Sequence, residues 1–404
     1  MKSQEWINKT EDYVLHTYNR FPVVFERGSG CRLYDADGKE YLDFSAGIAV
    51  NALGYGNEKY TAALKDQIDQ LTHISNLFYN EPLAEAAEKL VKASGLSKAF
   101  FTNSGTEAIE GAIKAARKYA WTKNGSSGGR SDLIAMEHSF HGRSLGALSV
   151  TGTKSYRDPF EPLVPGVKFA KFNDIDSVKE LVDEKTCAII LEAVQGEGGI
   201  IPAEEAFLRE VRRICDENDI VLIMDEIQCG MGRTGFWFAW QKYGVKPDIM
   251  TAAKALGGGV PVGAFVLNEK LAQSSLVPGD HGTTYGGNPF VCAAVKAVFD
   301  VFEEEDLVGH VKETALYLEQ KLDELVSEYV FLSGRRGIGF MQGLVFDGVK
   351  ASDAASAALK EGLVVITAGG NVLRLVPPLV IRKDEIDEMC AKLSKALETC
   401  CKIG

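Results

Sequence analysis

A lysine and an aspartate give this chain the residues for carbonyl cofactor chemistry. Asp225 follows the strongly apolar run 220–224, and Lys254 lies shortly before three consecutive glycines at 257–259. Such a run predicts a buried parallel strand with Asp225 at its carboxyl end, where open α/β sheets bind ligands. A buried amine can form a Schiff base, and a nearby carboxylate can keep a pyridine nitrogen protonated. Taken alone, the two residues are equally consistent with a strand cap and a surface cation.

A strand, a glycine turn and the start of a helix follow one another at 99–108. Gly105 allows the backbone to approach a ligand closely, and Thr106 begins a helix with an apolar face. The first N–H groups of a helix form a phosphate site, assisted by the helix dipole. An ordinary capped helix explains the same residues. The phosphate-loop and dinucleotide fingerprint spacings are absent, so a nucleotide site is not indicated.

An aromatic residue and an arginine follow another predicted strand at 133–136. Phe140 and Arg143 would then lie at the same edge of the sheet. Phe140 could stack on a planar ring, and Arg143 could bind a carboxylate through two parallel hydrogen bonds. A strand-end aromatic residue beside a solvated arginine is the simpler alternative.

Alternating strand and helix patterns must position these residues. Buried strands are predicted at 99–102, 133–136, 187–191, 220–224 and 263–267, with helical periodicity between them. This alternation predicts a mostly parallel sheet with helices on both faces. A hairpin is predicted around Asp37 and Gly38. Helices are expected at 291–302 and 383–401, and the glycine- and serine-rich segment 124–129 predicts a flexible surface loop.

Length, composition and charge limit the classes of protein to which this chain could belong. A chain of 404 residues with 46% hydrophobic and 25% charged residues predicts a large domain and a smaller one. The net charge of −12 argues against a nucleic-acid partner. No signal-peptide core or membrane-spanning stretch is found, and the eight cysteines form no C-x-x-C pair. We therefore expect a cytoplasmic protein with reduced cysteines, no membrane contact and no metal site.

Seven segments in order resemble one family, the class III pyridoxal-phosphate (PLP) aminotransferases. The resemblance implies fold type I, an α/β fold whose large domain has a mostly parallel seven-stranded sheet and whose C-terminal domain is a smaller α+β unit. It also implies the cofactor PLP. The matching segments are Asn-Ser-Gly-Thr-Glu-Ala at 103–108, Phe-His-Gly-Arg at 140–143, Glu-Ala-Val-Gln-Gly-Glu at 192–197, Asp-Glu-Ile-Gln at 225–228, Lys254 with the glycines at 257–259, His-Gly-Thr-Thr-Tyr-Gly-Gly-Asn-Pro at 281–289, and Leu-Arg-Leu-Val-Pro-Pro at 373–378.

The resemblance assigns roles around the cofactor ring. Lys254 would carry the cofactor and later move the substrate proton, and Asp225 would pair with the ring nitrogen. Gln228 would bond the phenolic oxygen. Phe140 would stack on one face of the ring, and Ile227 would close the other.

The cofactor phosphate would be held by residues of two subunits. By resemblance, Gly105 and Thr106 contribute backbone and hydroxyl donors, and Thr284 reaches the phosphate from the partner subunit. The resemblance therefore implies a homodimer with shared active sites.

Two arginines would let one pocket accept dissimilar amino-acid substrates. By resemblance, Arg143 holds the carboxylate distant from the reacting amine in both half-reactions, and Arg374 holds only the α-carboxylate of glutamate. Glu197 would pair with Arg374 in the other half-reaction, because a buried unpaired guanidinium is costly. Thr283 and Tyr18 are the remaining candidate substrate contacts.

The segments Gly-Ile-Ala-Val-Asn at 47–51 and Thr283-Thr284 most resemble the acetylornithine-type enzymes of the family. The aromatic residue that ornithine-type enzymes usually have near Gly47 and Ile48 is absent, which would leave room for an acyl chain. We expect transfer of the ω-amino group of N2-acetyl-L-ornithine to 2-oxoglutarate in arginine biosynthesis. Ornithine, succinylornithine and 4-aminobutyrate remain alternative donors, and a non-catalytic binding protein is the alternative from another class.

The domain division expected from the pattern has three parts. Residues 1–48 would form an N-terminal segment with a helix and a hairpin, packed with the small domain. Residues 49–295 would form the large cofactor-binding domain, and residues 296–404 the small C-terminal domain.

Overall fold

Strands and helices alternate along most of the chain. This computed structural model describes residues 2–125 and 129–401, so residues 126–128 of the predicted flexible loop lie outside the described residues. The strands are β1 (Phe25–Ser29), β2 (Arg32–Asp35), β3 (Glu40–Asp43), β4 (Lys98–Thr102), β5 (Asp132–Met136), β6 (Val167–Ala170), β7 (Thr186–Glu192), β8 (Val194–Gln195), β9 (Ile201–Pro202), β10 (Val221–Asp225), β11 (Ile249–Ala252), β12 (Gly263–Leu267), β13 (Leu332–Ile338), β14 (Met341–Phe346), β15 (Leu363–Val364), β16 (Ile366–Ala368) and β17 (Val372–Leu375).

Most helices connect or cover these strands. They are α1 (Lys2–Tyr13), α2 (Ala46–Ala49), α3 (Glu58–Gln70), α4 (Glu81–Ser94), α5 (Gly105–Lys123), α6 (Leu145–Ser149), α7 (Lys154–Arg157), α8 (Ile175–Leu181), α9 (Glu205–Asn218), α10 (Trp240–Tyr243), α11 (Glu269–Ser274), α12 (Pro289–Glu304), α13 (Leu307–Glu328), α14 (Ala351–Lys360) and α15 (Lys383–Cys401). Two short 3₁₀ turns cover Asp158–Phe160 and Lys254–Gly257. Within the described residues, no helix is both long and apolar enough to cross a membrane.

The central sheet has seven strands in the order β4-β12-β11-β10-β7-β5-β6. Among the seven strands, β12 runs in the opposite direction to the other six, so the predicted mostly parallel seven-stranded sheet is confirmed. Every residue of β7 and β10 is buried, because helices cover both faces and the strands are apolar on both sides. The carboxyl ends of β4, β5, β7 and β10 therefore share one edge.

Helix α5 packs closely on one face of this sheet. Five of its buried positions are alanine, which keeps the helix surface flat. A Cβ atom at Gly111 would lie 2.2 Å from the ring of Phe265 on β12, so glycine is required at this crossing. The close packing fixes the N-terminus of α5 against the carboxyl end of β4.

The C-terminal part of the chain forms a second sheet, β13-β14-β17-β16, with α13, α14 and α15. The predicted hairpin is also present, since β2 and β3 pair antiparallel around Asp37 and Gly38. β3 pairs in parallel with β15, which joins the N-terminal segment to the C-terminal part. We propose domain boundaries after residues 48 and 295, and this pairing supports the packing of residues 1–48 with the C-terminal part.

Candidate active site

A cavity of about 450 Å³ opens at the carboxyl edge of the central sheet. Ligand sites commonly have this size and this position in open α/β sheets. The loops after β4, β5, β10 and β11 contribute most of its wall. The lining residues used below are Gly105, Thr106, Phe140, His141, Arg143, Glu192, Asp225, Ile227, Gln228 and Lys254.

Lys254 enters the cavity from the turn after β11. Its backbone has a φ of +49°, a conformation that L-residues seldom adopt and that marks stored strain. Burial is the main cause that lowers the pKa of the Lys254 amine to about 8, and the positive charge of Arg374 also lowers it. No hydrogen bond or ion pair joins Nζ to any residue that the structure describes. The amine is therefore free to react with a carbonyl group.

Asp225 is buried at the end of β10 and held from three sides. Its Oδ1 accepts hydrogen bonds from the Ile227 amide at 3.0 Å and from Thr251 Oγ1 at 3.1 Å. His141 Nδ1 donates to Oδ2 at 2.7 Å. These contacts fix a carboxylate that faces the cavity with little freedom to rotate.

His141 and Glu192 are site residues to which the sequence analysis gave no role. His141 Nε2 is buried and has no partner among the described residues. Glu192 accepts hydrogen bonds from the amides of Phe140 at 3.1 Å and Gly196 at 3.0 Å. Burial raises the pKa of Glu192 to about 7. The charge of Asp225 also raises this pKa, whereas the charge of His141 lowers it. Their presence within matched segments was the only sequence signal.

The N-terminus of α5 forms a narrow cradle. Ser104 caps the helix by accepting a hydrogen bond from the Glu107 amide at 3.3 Å, which leaves the first two amides of the helix without intrahelical acceptors. A Cβ at Gly105 would lie 2.9 Å from Ile227 Cδ1, and one at Gly142 would lie 2.4 Å from Thr106 Oγ1. Both close approaches require glycine.

Arg374 on β17 forms a buried ion pair that spans the two parts of the chain. Its Nη1 donates to Glu197 Oε1 at 2.5 Å and to Gln228 Oε1 at 3.1 Å. Burial alone would raise the pKa of Glu197, but the charge and hydrogen bond of Arg374 outweigh it and lower that pKa. The Nε of Arg374 is buried without a partner among the described residues.

Arg143 lies at the mouth of the cavity and is exposed. Its guanidinium stacks over the ring of Tyr156, with 3.7 Å between Cζ and the ring centroid. No carboxylate of the described residues pairs with it, so the charge is available to an anionic ligand.

Besides Glu197 and Arg374, three predicted site residues lie outside the cavity wall of this single chain. Thr284 is exposed in the loop that precedes α12, and Thr283 Oγ1 accepts a hydrogen bond from Asn103 Nδ2 at 3.2 Å. Tyr18 is exposed, with the Arg20 guanidinium 5.8 Å from its ring centroid. The described residues bring none of the three to Lys254.

Comparisons with known proteins agree with this geometry. The family model for aminotransferase class-III matches residues 13–397. The acetylornithine aminotransferase of Methanocaldococcus jannaschii is 48% identical over 397 residues, which cover 98% of each chain. That of Aquifex aeolicus is 48% identical over 386 residues, covering 95% of this chain and all of the other. The chain belongs to the class III aminotransferases.

Solved structures show the same fold. The ornithine aminotransferase of Toxoplasma gondii superposes with a TM-score of 0.94 at 29% identity, covering 99% of this chain and 95% of that one. The N-acetylornithine aminotransferase of Stenotrophomonas maltophilia gives a TM-score of 0.85 at 34% identity, covering 98% and 100%. The expected fold, the aminotransferase activity and the dependence on PLP are thereby confirmed.

The cavity of this class III aminotransferase fits PLP. Lys254 offers an unpaired amine for the carbonyl carbon, and Asp225 offers a fixed carboxylate for a pyridine nitrogen. The glycine cradle at Gly105 exposes helix amides to a phosphate. Phe140 and Ile227 add an aromatic and a branched apolar side chain to the wall, which suit the faces of a planar ring.

Proposed function

We propose that the protein transfers the ω-amino group of N2-acetyl-L-ornithine to 2-oxoglutarate. The products would be N-acetyl-L-glutamate 5-semialdehyde and L-glutamate, as a step of arginine biosynthesis. The relatives that bear the name acetylornithine aminotransferase support this substrate. The observation that carries the proposal is the pair of arginines: Arg143 is exposed on the cavity wall without a carboxylate partner among the described residues, and Arg374 is buried and paired with Glu197.

Pyridoxal phosphate, when bound, supplies a carbonyl carbon for an amine and a ring that accepts electrons. Lys254 would hold the cofactor, and its amine would then carry a proton between two carbon positions of the bound substrate. A pKa of about 8 favours this role, since both protonation states are accessible near neutral pH. Asp225 would hold a proton on the ring nitrogen, with His141 fixing the orientation of the carboxylate.

The remaining cofactor contacts would position the ring. Gly105 and Thr106 would bind the phosphate through the first amides of α5 and the Thr106 hydroxyl. Phe140 and Ile227 would cover the two ring faces, and Gln228 would donate to the phenolic oxygen. Gln228 also touches Arg374 and Glu197, so it would link the cofactor with the substrate site.

The two arginines would bind different carboxylates of the two substrates. Arg143 would bind the carboxylate distant from the reacting amine in both half-reactions. Arg374 would bind the α-carboxylate of glutamate. Acetylornithine has only methylene groups beside its reacting amine, so in that half-reaction the carboxylate of Glu197 would pair with Arg374 instead. The buried and unpartnered Nε of Arg374 supports a second anionic ligand at this guanidinium.

We further propose a homodimer in which Thr284 completes the phosphate site of the partner subunit. The exposed apolar side chains of Leu77, Phe78, Tyr79 and Tyr285 support an interface here. Asn76 ties their segments together by donating to the carbonyl of Gly286 at 2.9 Å. Thr283 and Tyr18 would then line the substrate site in the dimer.

Mixing two inactive variants tests the shared site. A dimer of one Lys254→Ala subunit and one Thr284→Ala subunit has one doubly altered site and one intact site, so mixing should restore activity. Lack of recovery in dimers shown to be mixed would mean that each site belongs to one subunit.

A panel of amine donors with 2-oxoglutarate tests the substrate. Acetylornithine should give the highest kcat/KM, with N-succinylornithine next and with ornithine and 4-aminobutyrate at least about tenfold lower. A preference for ornithine would mean that the cavity excludes the acyl group. Absence of turnover with every donor of the panel would mean that this aminotransferase takes its amino group from a different amine. The free thiols at positions 31, 187, 215, 229, 292 and 390 support the cytoplasm as the proposed location.

A further inference from the structure

Arg233 is a fully buried arginine outside the cavity wall. It is 1% exposed, and no carboxylate of the described residues lies within ion-pair distance of its guanidinium. Nη1 donates to two backbone carbonyls, and the buried Nη2 has no partner among those residues. Burial lowers the pKa of Arg233 to about 9. A well-packed apolar side chain would avoid this desolvation, so the arginine calls for a reason other than stability.

The two carbonyls place Arg233 between the large domain and the C-terminal sheet. Nη1 lies 2.7 Å from the oxygen of Pro377 and 3.1 Å from that of Phe340. The backbone carbonyl of Arg233 also accepts a hydrogen bond from the Phe340 amide at 2.8 Å. At Gly339, which has a φ of +63°, a Cβ would lie 2.4 Å from the Arg233 oxygen, so the segments touch without a side chain between them.

Both segments joined by Arg233 carry residues of the site. Pro377 follows β17, which bears Arg374, and Arg233 follows the segment that bears Asp225 and Gln228. Arg374 and Gln228 form a second hydrogen bond between these segments, at 3.1 Å. Movement of the Pro377 carbonyl relative to Arg233 would therefore change the position of the Arg374 guanidinium against Gln228 and Glu197.

We propose that Arg233 is a positioning residue for substrate selection, which fixes Arg374 where it can exchange Glu197 for the α-carboxylate of glutamate. The inference rests on the proposed role of Arg374 in binding that carboxylate. Arg233 acts through Arg374 and touches neither substrate nor cofactor. Its removal should therefore affect the glutamate half-reaction more than the half-reaction of the ω-amine donor, which Arg143 anchors.

The test uses the holoenzyme and single-turnover rates with glutamate and with acetylornithine over a range of concentrations. Arg233→Met should raise the apparent Kd for glutamate by about tenfold, within the range of couplings between contacting groups. The apparent Kd for acetylornithine should change by less than about threefold. Arg233→Lys, which keeps the charge but not the planar fork, should fall between wild type and Arg233→Met. It also preserves the test if the methionine variant does not fold.

A double variant separates positioning from a general structural role. If Arg233 acts through Arg374, Arg233→Met should add no further loss of glutamate affinity in an Arg374→Ala background. Arg212→Met is the matched control, because Arg212 is a largely buried arginine of α9 paired with Asp248 at 2.9 Å, away from the cavity. It should lower thermal stability without changing the ratio of the two half-reactions.

Three results would overturn the inference. Multiplicative losses in the double variant, or equal losses in both half-reactions of Arg233→Met, would mean that Arg233 only stabilises the fold. If Arg374→Ala itself leaves glutamate binding unchanged, the proposed role of Arg374 fails and this inference fails with it. The Arg374→Ala measurement therefore distinguishes the two failures.

Discussion

Replacing Lys254 with methionine should stabilise the apoprotein at neutral pH. Methionine keeps the length of the side chain and removes an amine that burial and the charge of Arg374 disfavour in its protonated form. The pKa is lowered from 10.5 to about 8. Since each pKa unit corresponds to about 1.4 kcal/mol, the protonated amine costs up to about 3 kcal/mol in the folded state.

The pH dependence of the effect follows from the direction of that change. The pKa of Lys254 is lower in the folded state than in the unfolded state, so the unfolded chain binds the proton first as pH falls. As pH falls from about 10.5 to about 8, the free energy of unfolding decreases, and below about pH 8 it no longer changes through this group. The difference in the free energy of unfolding between Lys254→Met and wild type should therefore be largest below about pH 8 and decrease as pH rises above it.

Denaturant-induced unfolding of apoprotein at about pH 7 and about pH 9.5 would measure this difference. Lys98→Met is a matched control, because Lys98 is an exposed lysine on β4 of the same sheet, and its replacement should have a small effect at both pH values. If Lys254→Met and wild type unfold alike at neutral pH, or if their difference does not change with pH, the buried amine is not destabilising and the reasoning is wrong.

Three further substitutions test the proposed roles. Asp225→Asn removes the charge that would hold the ring nitrogen protonated, and kcat should fall by at least about 100-fold with the cofactor still bound; near-normal turnover would assign that nitrogen to another residue. Glu197→Gln leaves Arg374 unpaired when acetylornithine is bound, so single-turnover measurements should show that half-reaction slowed by about 100-fold or more and the glutamate half-reaction spared. Equal slowing of the two would contradict the exchange of carboxylates. Arg143→Ala should raise the KM of both the amine donor and 2-oxoglutarate by about tenfold or more, and a change in only one KM would limit Arg143 to one substrate.

The elements that carry the site could be predicted because their sequence patterns are local. β12 spans Gly263–Leu267 and α15 spans Lys383–Cys401, as the apolar runs and periodicity predicted. The sequence analysis did not identify β6 and β11, because Lys168 and Thr251 interrupt their short apolar runs. Lys254 and Asp225 meet because adjacent parallel strands end at one edge, which follows from the predicted fold.

Contacts between distant segments could not be derived from the residues alone. Glu197 and Arg374 are separated by 177 positions, and their pairing was expected only from resemblance to a family. The left-handed turn Ala46–Ala49 has no local signal either, because three of its four residues carry side chains at positive φ. Asp43 holds this turn, since its Oδ1 accepts from Ser45 N at 2.8 Å and Ala46 N at 3.1 Å.

The charges around Lys254 connect the proposed substrate exchange with the proposed proton transfer. Arg374 lowers the pKa of Lys254, and Glu197 raises it. In the proposed function, either Glu197 or the α-carboxylate of glutamate lies against Arg374, so one negative charge faces that guanidinium in both half-reactions. The field at the Lys254 amine then changes little when the substrate changes. A single lysine can therefore serve two dissimilar substrates at one pH, provided that Arg374 is held where either carboxylate can reach it.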